Sequence, residues 1–394
     1  MHHMSGKRYT PLLFATALFP GISPPETAPQ QRAQEIVGVS PDFVKPSFLE
    51  DNEIQEVVMN FSGPDYQPDG CKENNKIAYN NTLLCRNRRN HAYMTDLAAR
   101  AIRVTGIIAA TPVSQRRNSC KQSAFCQPKN KNKMADFTAY IADTYPQVEE
   151  FVIGNEVNSA DWYDLGCKDK CDFDTWVTDY ADLLDQSYAS IKEHNQDALV
   201  LIPFTNHFGP VFDSAKASTN PVDPSIKKPL ISMLTFIDML AAKGVFDRMP
   251  DLRIAPHLYN KKLTDLTCSP NDYPYVTVCN AKEISKLLLN RYPQYPWLAD
   301  MYATEQGIPS KNVSDEVHGQ AVCQMLKEAL KNPHIKRFIV HRLFDHQTEV
   351  NAGLSLGLVS VDNTNAAKKT SKLALNAFLD TVKGNDCAES SSQP

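Results

Sequence analysis

Apolar runs and amphipathic stretches alternate along most of the chain. Eight runs rich in β-branched and aromatic residues are typical of buried strands and lie near residues 36, 56, 104, 152, 200, 254, 300 and 338. Apolar residues spaced three or four apart predict helices between them, for example over 173–194, 281–291 and 315–331. Because strand–helix alternation implies a parallel sheet with helical crossovers, we predict an α/β fold, a (β/α)8 TIM barrel with loop insertions.

The 394 residues, 42% of them hydrophobic, can form a large core and by length alone allow one barrel or two domains. No Ser/Gly linker interrupts the alternation, so we predict one domain over 31–384 and a polar tail over 385–394. Residues 1–30 contain Lys7 and Arg8, an apolar segment over 11–22 and a Pro-rich end. This pattern is typical of a secretory signal peptide, with a disordered leader as the alternative, and we expect a secreted, extracellular protein.

The ten cysteines fit an exported protein. No CxxC pair occurs and no histidine has zinc-finger spacing from a cysteine pair, so we expect no metal. We interpret the cysteines as five disulfides that staple the polar loops, although ten cysteines allow many pairings. The expected pairs are Cys71–Cys85, Cys120–Cys126, Cys167–Cys171, Cys268–Cys279 and Cys323–Cys387. Asn-x-Ser/Thr sites at Asn60, Asn80 and Asn312 would accept glycans if the host glycosylates them.

Charge and motifs exclude several classes of function. The net charge of −4 and the isoelectric point near 6.2 are not those of a nucleic-acid binder. After the N-terminus no run of about 18 apolar residues exists, so we expect no membrane span. The chain lacks the HExxH, GxSxG, GxGxxG, P-loop and DxxDxDxE motifs. We therefore expect no cofactor.

Two predicted strands carry a glutamate where they end. The strand over 151–153 is followed by Gly154, Asn155 and Glu156, and the strand near 300 ends with Glu305 before Gly307, which permits a tight turn. Barrels keep their chemistry at the C-terminal ends of the strands, here strands four and seven. Glycosidic cleavage needs two carboxyl groups, one to protonate the leaving oxygen and one to attack the anomeric carbon or activate water. The alternative for Glu156 is an ordinary carboxylate that caps a turn.

This arrangement resembles the clan of retaining glycoside hydrolases with a TIM barrel, in which strand four ends in Asn-Glu and strand seven carries the second glutamate. The resemblance implies that Glu156 is the acid/base, that Glu305 is the nucleophile and that Asn155 binds the sugar 2-hydroxyl. It also implies that Tyr259, at the exit of strand six, keeps the nucleophile ionised, while His257 could line the pocket instead. The chain departs from the clan after strand eight, where Arg342–His346 stand in place of a tryptophan, and it has no clear arginine near the end of strand two.

Further polar and aromatic residues follow the strands. Trp162 and Tyr163 could form a platform on which a sugar stacks, or a loop plug packed on the barrel rim. Asn206 and His207 could contact substrate or serve as capping groups. We interpret Asp345 and His346 as hydrogen-bonding groups at the pocket mouth. A metal site formed by these two residues together with His341 and Glu349 fits less well, because strand alternation would point His341 and His346 to opposite sides.

Together these features predict a secreted glycoside hydrolase that cleaves O-glycosidic bonds of an oligo- or polysaccharide with retention of configuration. The alternatives are a carbohydrate-binding barrel without catalysis and an inverting glycosidase, which would hold its carboxyls more than about 6.5 Å apart. We expect a monomer without nucleic-acid or membrane partners.

Overall fold

The structure is a computed structural model that describes residues 29–67, 71–80, 82–167, 170–216, 220, 222–361, 369–371 and 373–387. Residues 1–28, which hold most of the predicted leader, lie outside the described residues, as do residues 388–394 of the predicted tail.

Eight parallel strands close into a barrel in which each strand pairs with the next along the chain and the last pairs with the first. The predicted TIM barrel is therefore confirmed. The strands are β1 Val37–Val39, β2 Glu56–Ser62, β3 Arg103–Ala109, β4 Val148–Ile153, β5 Leu199–Phe204, β6 Leu252–Pro256, β7 Met301–Gln306 and β8 Ile335–Val340.

Helices follow the strands and cover the outside of the barrel, where their apolar faces join the main core. The helices between strands are Pro46–Asp51, Arg88–Ala99, Lys131–Thr144, Phe173–His194, Met233–Ala242, Val245–Arg248, Ala281–Arg291 and Asp315–Lys331. Pro29–Ile36 precedes β1, and Gln347–Asn351 and Leu373–Val382 follow β8. Within the residues described, no helix has both the length and the apolar character needed to cross a membrane.

The N-terminal end of the barrel holds a buried network of charges. Arg337 donates to Glu150 at 2.5 Å and lies 3.3 Å from Glu56. The hydroxyl of Thr105 lies 2.9 Å from Glu56 and 2.8 Å from Glu150. One hydroxyl has one proton, so only one carboxylate can accept from it. Burial raises the pKa of Glu56, although the charge of Arg337 acts in the opposite direction.

Successive inward-facing residues build layers from the bottom of the barrel to its mouth. Because side chains alternate along a strand, the positions two residues after Glu56, Thr105 and Glu150 face inward again. They belong to an apolar layer of six buried side chains from six strands, namely Val58, Ile107, Val152, Leu201, Ala255 and Ile339. This layer separates the charged network from the C-terminal mouth, where Asn60 and Ala109 form the next level and line a cavity.

The structure contains five disulfides, which join the same pairs as those expected from the sequence. Cys71–Cys85 closes a loop that contains the hairpin of Lys76–Tyr79 and Thr82–Cys85. Cys323–Cys387 ties the helix Asp315–Lys331 to the end of the described chain.

Candidate active site

The segment after β4 holds Glu156 in an unusual backbone conformation. Gly154 has φ +91° and Glu156 has φ +39°, a region that residues other than glycine rarely adopt. Both flanks are fixed, since the amide of Gly154 donates to Ile108 O at 2.9 Å and that of Val157 donates to Pro203 O at 3.0 Å. The indole of Trp176 donates to Val157 O at 2.9 Å. Surrounding hydrogen bonds therefore impose the conformation that presents Glu156 at the barrel mouth.

Glu305 lies in β7, one residue before its end, and its neighbours bring the ends of β7 and β8 together. A Cβ added to Gly307 would lie 2.5 Å from the carbonyl oxygen of His341, so only glycine permits this approach. The role of Gly307 is therefore this close packing rather than the tight turn that the sequence suggested. Gln306 is buried and donates to Ala303 O at 2.9 Å and also to Ile339 O. These contacts fix the strand that carries Glu305.

Both glutamates line one cavity of about 600 Å³ at the C-terminal mouth of the barrel. A second cavity of about 360 Å³ contains Asn155 and shares four wall residues with the first: Glu305, Trp162, His341 and Glu349. The two cavities are thus parts of one groove that passes over Glu305. Volumes of this size are typical of small-molecule and oligosaccharide-sized sites.

The phenol of Tyr259 donates a hydrogen bond of 2.9 Å to Glu305 Oε1. Burial alone would raise the pKa of Glu305, but the neighbouring His341 and His257, the Tyr259 bond and Arg342 outweigh it and lower the pKa. Glu305 is therefore ionised at neutral pH. The role that the resemblance implied for Tyr259 stays a prediction.

His257 is buried, with 1% of its surface exposed, and its Nδ1 lies 3.0 Å from Glu156 Oε1. Burial would lower the pKa of His257, but the charge of Glu305 and the bond to Glu156 outweigh it and raise the pKa. His257 thus lies behind the groove wall as a hydrogen-bond partner of Glu156.

The exit of β8 differs from the sequence prediction. The strand ends at Val340, so the residues that reach the groove are His341, Arg342 and, from the following helix, Glu349. Asp345 and His346 do not line the groove, which corrects that prediction. Asp345 accepts a hydrogen bond of 2.8 Å from the amide of Gly357, and His346 is exposed before the helix Gln347–Asn351.

Arg342 organises this exit into a chain of ion pairs. It donates to Glu349 Oε1 at 2.6 Å and to Asp42 Oδ1 at 3.1 Å. The Nε2 of His341 lies 3.3 Å from both Glu349 Oε1 and Arg342 Nε. These two contacts are alternatives, because a ring nitrogen carries either a proton or a lone pair. The peptide bond between His341 and Arg342 is cis.

Trp162 is 37% exposed, lines both cavities and packs edge-to-face against Phe125 with ring centroids 4.4 Å apart. It is therefore placed to act as the platform that the sequence suggested. Tyr163 is not part of it: the side chain is 1% exposed and donates at 3.0 Å to Asp179 on the helix Phe173–His194. The prediction for Tyr163 is wrong because its hydroxyl finds a buried partner beneath the rim.

Asn206 and His207 line the larger cavity. Asn206 donates to Asn260 O at 3.1 Å, and His207 Nδ1 lies 3.1 Å from the hydroxyl of Thr205. Burial lowers the pKa of His207 to about 4, although Asp223 acts in the opposite direction. His207 is therefore neutral at physiological pH.

Sequence reasoning missed part of the groove. The cavity walls also include Phe125, Asn60, Asp223, Lys261 and Lys262. They belong to long loops or, for Asn60, to β2, where the sequence marked this residue only as a glycan acceptor. Strand length was a signal that could have found His341. The strands β4, β5 and β7 each have six residues, and a strand of that length that starts at Ile335 ends at Val340, directly before His341.

The comparison with protein families gave one match, in which a model of the family of unknown function DUF5722 covers residues 73–392. No curated protein sequence matched the chain.

Solved glycoside hydrolases share the fold. A family 39 glycoside hydrolase from the gut symbiont Bacteroides cellulosilyticus WH2 superposes with a TM-score of 0.62 at 14% identity; the match covers 91% of this chain and 65% of that hydrolase's length. A family 1 β-glucosidase from Thermotoga maritima superposes with a TM-score of 0.53 at 13% identity, over 89% of this chain and 86% of that one. A β-glucosidase from Thermotoga maritima in complex with deoxynojirimycin gives 0.54 at 13% identity, over 86% and 85%. At these identities the likeness shows the barrel fold alone.

Proposed function

The chain belongs to the family of unknown function DUF5722, and we propose that it is a retaining glycoside hydrolase acting on an oligosaccharide or polysaccharide. One observation carries the proposal: Glu156 and Glu305, from the exits of β4 and β7, line one cavity and have different partners. Glu305 is ionised and held by Tyr259, whereas Glu156 is held by His257. Two carboxyls in different environments are the requirement for acid and nucleophile roles.

In the first step Glu305 attacks the anomeric carbon while Glu156 gives its proton to the glycosidic oxygen. The carbon–oxygen bond to the leaving sugar breaks, and a glycosyl ester forms on Glu305. In the second step Glu156, now a carboxylate, takes a proton from water, whose oxygen attacks the same carbon and releases Glu305. Two displacements at one carbon return the original configuration.

The surroundings supply what these steps need. Tyr259, His341 and Arg342 stabilise the negative charge of Glu305 before attack. Trp162, exposed on the rim of both cavities, offers an aromatic face to a sugar. The shared structure of the neighbouring hydrolases is consistent with this assignment. The five disulfides support export to an oxidising compartment, which is part of the same proposal.

The test is hydrolysis of a glycan panel by the wild type and by the variants E156Q, E305Q and E283Q. Glu283 is an exposed carboxylate on the helix Ala281–Arg291, paired with Lys286, and serves as the matched control. E156Q and E305Q should lose activity on unactivated substrates while E283Q keeps it. Proton NMR of the first product should show the same anomer as the substrate. Full activity in E305Q would refute the proposal, and the opposite anomer would identify an inverting enzyme.

A further inference from the structure

The groove contains a third carboxylate that the two steps do not use. Glu349 comes from the short helix Gln347–Asn351 after β8 and lines both cavities together with Glu305. A sugar ring placed for attack by Glu305 therefore also lies beside Glu349. This position suits a group that distinguishes one sugar from another without breaking a bond.

Glu349 is fixed and negatively charged. Arg342 donates to its Oε1 at 2.6 Å and is itself held by Asp42, while His341 lies 3.3 Å from the same oxygen. Burial would raise the pKa of Glu349, but the bond to His341, its charge and Arg342 outweigh it and lower the pKa. The side chain keeps 22% of its surface exposed. The groove thus contains a fixed negative charge in addition to the reacting glutamates.

The second oxygen of Glu349 is not engaged. Oε2 is buried and has no hydrogen-bond partner within the described part of the chain. A buried carboxylate oxygen without a donor is unfavourable, and a sugar hydroxyl is a donor of the right kind. The adjacent cation is already engaged, since two nitrogens of Arg342 donate to protein carboxylates, Nη1 to Asp42 and Nη2 to Glu349. Both of these carboxylates belong to the protein, and they offset the charge of Arg342 where it lines the smaller cavity.

We propose that Glu349 selects neutral sugars at the position attacked by Glu305, by accepting a hydrogen bond from a ring hydroxyl and by repelling the carboxylate of a uronate. This inference rests on the hydrolase function proposed above. Like charges brought together in a partly desolvated groove disfavour binding, and this is a common way to exclude a competing ligand. Lys261 and Lys262 line only the larger of the two cavities, whereas Glu349 and Glu305 line both.

The experiment compares nitrophenyl glycosides in matched pairs, a neutral hexoside and the uronide of the same ring, namely glucoside with glucuronide and galactoside with galacturonide, in both anomers. The ratio of kcat/KM for the neutral member to that for the uronide is measured for the wild type, E349Q and the control E283Q. Glutamine keeps an acceptor oxygen but removes the charge. We expect the wild type to prefer the neutral member and E349Q to reduce that preference by roughly tenfold or more, a change of about 1.4 kcal/mol per factor of ten. E283Q should leave the ratio unchanged.

A wild type that prefers the uronide, or an E349Q variant with an unaltered ratio, would overturn the inference while leaving the hydrolase function intact. If E349Q does not fold, salt dependence in the wild type decides. Repulsion predicts that added salt raises kcat/KM for the uronide and not for the neutral member, because salt screens charges. Equal salt responses would contradict it. Failure of the wild type to cleave any glycoside, in these pairs or in the glycan panel, would instead count against the hydrolase function itself.

Discussion

Replacement of Tyr259 by phenylalanine removes one hydrogen bond and little else. The phenol donates to Glu305 at 2.9 Å in a site where Tyr259 is 6% exposed. Hydrogen bonds to charged groups contribute roughly 1.5–3 kcal/mol. If the full amount stabilises the ionised form of Glu305, Y259F should lower kcat/KM between about 10-fold and 150-fold at acidic pH, on the limb where Glu305 titrates, at about 1.4 kcal/mol per factor of ten.

The pH profile gives a more specific readout than the rate. Glu305 must be ionised to attack, and its pKa is lowered because the neighbouring histidines, Arg342 and the Tyr259 bond outweigh burial. Removing a donor to the charged form raises that pKa, so the acidic limb of the kcat/KM profile should move to higher pH in Y259F.

Y163F is the matched control, because Tyr163 is also a buried phenol that donates to a carboxylate, Asp179, at 3.0 Å, but lies outside the groove. Y163F should affect stability and leave the acidic limb in place. An acidic limb that does not move in Y259F, or one that moves equally in Y163F, would refute the assigned role of Tyr259.

Four further predictions concern stability and binding. R337A leaves buried Glu150 without the cation it pairs with and Glu56 with Arg103 alone, and should cost about 3–5 kcal/mol in urea unfolding. Replacing Cys323 and Cys387 by serine opens a loop with a sequence separation of 64, which should cost about 4 kcal/mol in the loop-entropy model when the variant and the wild type are compared by denaturation without reductant. W162A should raise KM with little change in kcat in steady-state kinetics. Burial lowers the pKa of His207 from 6.5 to about 4, so the unfolded chain binds this proton first as the pH falls; H207N should lose less stability than the wild type between pH 6.5 and 4 in pH-dependent denaturation.

Local periodicity was sufficient for most elements. The helix Phe173–His194, predicted over the same residues, begins after Asp172, whose carboxylate caps it by accepting from the amide of Thr175 at 2.8 Å. The start of the barrel was harder to predict. Residues 35 and 36 read as strand but end the helix Pro29–Ile36, and Arg103 and Arg337 both donate to the carbonyl of Glu35. Such contacts join residues far apart in the chain, and a local pattern does not contain them.

The same limit explains the error at β8. The apolar residues Leu343 and Phe344 made the strand look longer than it is, yet Val340 pairs with Gln306, the last residue of β7. The pairing with the partner strand sets where a strand ends, and the local sequence does not show that pairing. Asp345 and His346 were therefore expected at the mouth, where His341 and Arg342 lie instead. Tyr163 was misplaced for a related reason, because its neighbour Trp162 faces the groove and only packing shows that the two rings point to different environments.

The central claim is that Glu305 forms a covalent bond to the sugar whose leaving group Glu156 protonates. Trapping that bond with a 2-deoxy-2-fluoroglycosyl inhibitor, followed by mass spectrometry of the digested protein, tests it most directly. The account predicts one label per chain on the peptide that contains Glu305, no label in E305Q, and slower labelling by a poor leaving group in E156Q. A label on another residue, or rapid turnover with no label and an inverted product, would contradict it.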